Sequence, residues 1–151
     1  MNASALNPTA QSYGELQSAY RHFNDRLFSG ELPWCLITLQ REKKTYGYFW
    51  SSQFKSTQGE STDEIALNPK HFADRGPKMV LSTLVHEMAH LWQCHFGKPG
   101  RGKYHNAQWA DKMEEIGLMP TDTGLPGGKR TGDHMTHYVI AGGGFDLAFA
   151  E

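Results

Sequence analysis

One segment limits what this chain can become. Between Pro77 and Gly97, the residues Val80, Leu81, Leu84, Val85, Met88, Leu91 and Trp92 put apolar side chains round most of a helix. Pro77 suits a first helical position, where its missing N–H costs nothing, and Gly97 with Pro99 ends the run. A helix apolar nearly all round is a buried one, so the rest of the chain has to wrap it. A single polar stripe remains, made of Thr83, His86, Glu87, His90 and Cys94. Two imidazoles and a carboxylate are expensive to bury unless something holds them, so the stripe is where chemistry is expected.

His86-Glu87-Met88-Ala89-His90 reads HExxH. At 3.6 residues per turn, side chains four apart share a face, so both rings can hold one Zn²⁺. Glu87 falls beside them, placed to take a proton from an attacking water and pass it to a leaving amine. A catalytic zinc usually takes three protein ligands. For the third, spacing leaves open His105 at the start of the next helix, or Glu114 or Glu115 within it. His95 lies five residues past His90, about 140° round the helix, and points elsewhere. His134 and His137 form an HxxH, but with no cysteine and only Asp133 beside them a second metal site is not favoured. Cys94, one turn beyond His90, reads as a small hydrophobe next to the site, and Cys35 as core.

Around this helix the patterning is mixed. Residues 1–11 read as a flexible tail, with Asn7-Pro8 as a breaker. Ser12 with Glu15 offers a capping box, followed by Tyr13, Leu16, Tyr20, Phe23 and Leu27 at helical spacing up to Gly30. Three strand-like runs follow, 35–39, 46–50 and 64–67, with the polar stretch 51–62 read as a loop. A third helix is predicted from Asn106 to Ile116, with Gly117 and Pro120 as its stop. Residues 121–151 read as a mobile linker, a strand at 137–140, and the opening of a helix that the chain leaves unfinished.

With 151 residues the chain fits one domain able to bury a real core. It holds two cysteines in no CxxC spacing, so neither a disulfide framework nor a four-cysteine zinc ribbon is expected. No apolar run is long enough for a membrane span and no secretory signal is visible, which makes a reducing cytoplasm the default location. Net charge is −1, so bulk charge does not favour polyanions.

Several segments together resemble the SprT family of zinc metalloproteases. The carriers are His86–His90, then Tyr104-His105-Asn106-Ala107-Gln108-Trp109, then Met113 and Ile116-Gly117-Leu118. Upstream, Thr45-Tyr46-Gly47-Tyr48-Phe49 resembles the family's Gly-centred strand, and Glu64-Ile65-Ala66-Leu67-Asn68-Pro69 the strand before the metal helix. The resemblance spans about residues 13–120. It implies His105 as the third ligand, one Zn²⁺ per chain, and Glu87 as the catalytic base. It also implies an α+β, zincin-like domain over residues 12–120, with a small, mostly antiparallel sheet on the HExxH helix and two further helices. The function implied is endopeptidase cleavage of protein substrates, including proteins bound or crosslinked to DNA. A non-catalytic zinc-holding module for DNA or a protein partner is the alternative; Glu87 argues against it, because a structural zinc needs no general base.

DNA contact, if made, falls to scattered basic groups: Arg41, Lys43 and Lys44; Lys98, Arg101 and Lys103; Lys129 and Arg130. Tyr46, Tyr48 and Trp50 offer rings that can stack on unpaired bases. Binding of single strands is therefore expected to be weak.

Overall fold

The computed structural model describes residues 8–41, 45–55, 57, 59 and 61–151. Helix α1 spans Pro8–Leu27 and buries Leu16, Tyr20 and Phe23 along one stripe. It starts at Pro8, a turn before the predicted capping box; proline at the first helical position costs no hydrogen bond. The tail predicted at 1–11 thus overlaps α1 from Pro8 on, and residues 1–7 lie outside the described ones.

Three strands form one sheet in the order β1-β3-β2: β1 is Leu36–Leu39, β2 Gly47–Lys55 and β3 Ser61–Leu67. β2 pairs with β3 antiparallel, while β1 pairs with β3 in parallel. The central strand is buried from Asp63 to Leu67, as a strand covered on both edges and faces should be. The polar stretch predicted as a loop is mostly strand. Pairing continues past Trp50 through a register shift to Phe54 and Lys55. Ser52 adopts φ 51°, and its N–H donates to Asp63 Oδ1 at 2.7 Å. A bulge absorbs the polar residues that broke the hydrophobic alternation.

Asn68 caps a single 3₁₀ turn, Pro69–His71, which leads into α2, Phe72–Phe96. Gly76 breaks α2 with φ 78° and ψ 166°, so the long regular helix restarts at Pro77 as the sequence indicates. Val80, Leu84, Val85, Met88, Ala89 and Leu91 are buried, and the helix packs on β2 and β3. Helix α3, Ala107–Ile116, is capped by the Asn106 side chain, which accepts from the Trp109 N–H at 3.1 Å. Gly117, with φ 99°, ends it in the left-handed region that non-glycine residues avoid.

The chain then continues as strand β4, Leu118–Thr121, which pairs antiparallel with β5, Thr136–Val139. The boundary predicted after residue 120 therefore cuts through a strand. Helix α4, Gly144–Phe149, closes the described chain, with Phe145 wholly buried and stacked on Phe23 at 5.3 Å. The molecule is α+β, with small sheets and several helices.

Candidate metal centre

The polar stripe of α2 faces inward. His86 and Glu87 are buried and His90 is half-buried. His105 sits just before α3 and is buried as well. Each of His86, His90 and His105 offers one ring nitrogen, and the three nitrogens lie within 4.8 Å of one another. Ring centroids are 5.4 Å apart for His86–His90, 5.9 Å for His86–His105 and 4.7 Å for His90–His105. Glu114 and Glu115 are exposed and paired elsewhere, with Arg130 at 2.8 Å and Lys112 at 3.1 Å. Of the candidates for a third ligand, geometry groups His105 with the helix pair.

The loop between α2 and α3 decides where His105 stands. Buried Gln93 donates from Nε2 to Asn106 Oδ1 at 2.6 Å and to Gln108 Oε1 at 3.0 Å. Gln108 Oε1 also accepts the Lys98 N–H at 2.7 Å, and Asn106 Nδ2 donates to the Lys98 carbonyl at 3.0 Å. One buried amide thus ties the end of α2 to the start of α3. On its other side His105 exchanges backbone bonds with Gly132, at 2.8 and 3.0 Å. Its ring Nδ1 also meets the Gly132 carbonyl, at 3.0 Å. A carbonyl only accepts, so Nδ1 carries the proton and Nε2 keeps its lone pair.

His90 is fixed by ring packing, stacked on Phe49 at 15° between planes and on Trp109 at 16°. Trp109 touches all three histidines, with centroids 4.5 to 5.2 Å away. Its Nε1 is buried and, among the described residues, has no hydrogen-bond partner.

The electrostatics follow from burial. Desolvation pushes His90 down to about 3 and His86 well below the usual imidazole range, the latter helped by the charges of its neighbours. His105 is lowered too, chiefly by burial. All three rings are therefore neutral at pH 7, the form that ligates metal. Burial raises Glu87 to about 8, and Lys103 opposes that rise. Three neutral imidazoles with converging lone pairs and a carboxylate beside them suit a divalent ion of zinc's type.

Other predicted residues fall elsewhere. His95 turns away from the three rings and binds Asp63 Oδ2 at 2.6 Å. Asp63, Cys94 and His95 form a second close group, but both Asp63 oxygens are already bonded, one to His95 and one to Ser52. Cys94 thus belongs to that outer group, and Cys35 is half-buried against the core rather than within it. The two residues of the HxxH part: His134 is exposed, while His137 is buried with its Nδ1 2.9 Å from His86 Nδ1. Sequence reasoning missed His137 as a neighbour of the centre, and also Gly132 and Ser82. No local pattern marks them, since these contacts join residues up to 55 apart.

The SprT-like family profile matches residues 16–130 of the chain. A relative described as an uncharacterized protein in the mucB 3' region of Salmonella typhimurium is 58% identical over 59 residues. That stretch is 38% of this chain and 80% of the relative.

Proposed function

The chain belongs to the SprT-like family, and from that premise we propose that it is a zinc-dependent endopeptidase with a zincin-like fold. The observation that carries the reading is the convergence of His86, His90 and His105, with buried Glu87 next to them on α2. The three histidines would hold one Zn²⁺ per chain. Bound there, zinc supplies Lewis acidity, lowering the pKa of a water toward about 7 and polarising a carbonyl.

Glu87 is the general base. Lys103 draws its carboxyl down, and positive charge held by the three imidazoles acts in the same direction, so Glu87 is anionic in the loaded site. It accepts the proton of the attacking water and delivers it to the leaving amine. Trp109, wholly buried and packed on all three histidine rings, keeps bulk water from the inner side of the site. Substrates are peptide bonds of proteins, and proteins bound or crosslinked to DNA are the class to test first. The two cysteines are free, and among the described residues no helix is long and apolar enough to cross a membrane. Both fit a place in the reducing cytoplasm.

The test is Glu87→Gln, with a DNA-binding protein as substrate and single-stranded DNA, duplex DNA or none added. The variant should keep its zinc and fold while cleaving about 10²–10⁴-fold more slowly. Undiminished cleavage removes Glu87 from the mechanism. Absence of cleavage by the parent under every condition leaves the zinc-holding module.

A further inference from the structure

Two Nδ1 atoms face each other at 2.9 Å, one on His86 and one on His137, both rings buried. A hydrogen bond between them needs one proton, so one ring donates and the other accepts. The direction can be read from the far end. His137 Nε2 lies 2.8 Å from Ser82 Oγ, and the Ser82 hydroxyl donates to the Met79 carbonyl at 2.7 Å. A carbonyl cannot donate, so the Ser82 hydrogen is committed and its oxygen accepts from His137 Nε2–H. A neutral His137 with its proton on Nε2 has a bare Nδ1. His86 is then the donor through Nδ1–H, and its lone pair stays on Nε2.

We propose that His137 is a positioning residue for the metal centre: it fixes the tautomer and ring plane of His86 so that Nε2 is the ligating atom. The chain runs from His86 Nδ1 through His137 and Ser82 to the Met79 carbonyl, with every bond in it pointing one way. It rests on the reading of His86 as a metal ligand. The Gly132 carbonyl does the same for His105 through Nδ1. One short stretch of chain, from Gly132 to His137, therefore orients two of the three histidines. β5 delivers His137 by pairing it with Pro120 on β4, the strand that follows the helix His105 opens. The third ligand and the support of the first are thus built by one continuous unit.

Outer partners of ligating histidines typically contribute 10–100-fold to metal affinity. The experiment has two readouts on the full chain. In the metal-free protein labelled with ¹⁵N-histidine, long-range ¹H–¹⁵N correlations should show His86 protonated at Nδ1 and His137 at Nε2. In competition titrations against a chromophoric chelator, His137→Ala should bind zinc about 10–100-fold more weakly than the parent. His137→Asn should recover most of that loss, because Asn Oδ1 lies at the same bond position as His Nδ1 and still accepts. Should His137→Ala fail to fold, the Asn variant and the tautomers of the parent decide. The proposal is overturned by a His86 protonated at Nε2, by parent-like affinity in His137→Ala, or by an Asn variant as weak as the Ala one. A parent that binds no zinc defeats the metal reading itself, and this proposal with it; tight binding by the parent with unchanged binding in His137→Ala defeats this proposal alone.

Discussion

The three histidines of the centre are held by different means, and their substitutions should differ accordingly. His105 is tied by ring and backbone to Gly132, His86 by its ring to His137, and His90 by stacking between Phe49 and Trp109. His105→Ala should remove a ligand and lower zinc occupancy sharply, while Glu114→Ala, which disturbs only an exposed ion pair with Arg130, should leave it full. Elemental analysis of both variants checks this; full zinc in His105→Ala would move the third ligand elsewhere. Burial also makes the metal-free protein sensitive to pH in both directions. His90 and His137 are lowered to about 3 and His86 well below its usual value, so as pH falls through about 6.5 the unfolded chain gains protons that the native state refuses. Stability is then lost toward acid. Glu87 works with the opposite sign: raised to about 8, it holds a proton that the unfolded chain gives up above about 4.5, so its contribution is lost as pH rises to about 8. Below neutrality these histidines, with His105 lowered as well, outweigh one carboxyl, and from neutrality to about pH 8 Glu87 is the group of the centre that acts. Thermal melts in chelator should peak near neutral pH, and Glu87→Gln should flatten the alkaline side up to about pH 8 and steepen the acid side. A parent curve that stays flat from pH 4 to 8 would mean these groups are not buried as the structure has them.

At the level of elements, α3 and α4 meet at a close backbone contact. A Cβ on Gly117 would lie 2.6 Å from the Phe145 nitrogen and 2.7 Å from the Gly144 nitrogen, with φ at 99° besides. Gly117→Ala should therefore destabilise the protein by about 1–3 kcal/mol or more, measured by denaturant unfolding. An unchanged midpoint would show that α4 can move away, and that Phe145 is not needed in the core. Such joins explain what could be read in the chain beforehand. The regular part of α2 and α3 announced themselves through Pro77, Gly97, Asn106 and Gly117, because caps and breakers act over a few residues. The HExxH pair was legible for the same reason: its geometry is set by one helix turn. The parallel pairing of β1 with β3 was not, since nothing local in Leu36–Leu39 distinguishes a parallel neighbour from an antiparallel one. Residues 51–62 misled because alternation fails at a bulge, where Ser52 and Asp63 satisfy each other instead of facing a core. His137 was visible only as half of an HxxH, and its partner turned out to be a ring on another element.

Across the whole molecule, charge decides how DNA could be engaged. Net charge is −1, so attraction has to come from a patch. Arg130 is spent on Asp111 and Glu114, and Lys43 and Lys44 lie outside the described residues. Tyr46 is half-exposed but lies under the Arg75 guanidinium at 3.8 Å, which leaves Trp50 as the more open ring on β2. Arg41 and Lys129 are exposed but stand apart, whereas Lys98, Arg101 and Lys103 cluster, all exposed, on the loop that carries the chain from α2 to His105. The field of Lys103 reaches Glu87, so this loop borders the centre. A strand held there would bring its bound protein beside the site. Three such contacts predict a salt slope of about −2 for single strands, or a loss of roughly 20-fold in affinity between 50 and 200 mM salt. Replacing Arg101 and Lys103 together by Gln should cut the slope to about −0.7 and leave zinc content unchanged. Fluorescence anisotropy with a labelled oligonucleotide reads the slope. No binding even at 50 mM salt would take DNA out of the account and leave the proposed peptidase reading to stand without it; binding with an unaltered slope in the double variant would move the contact to another face.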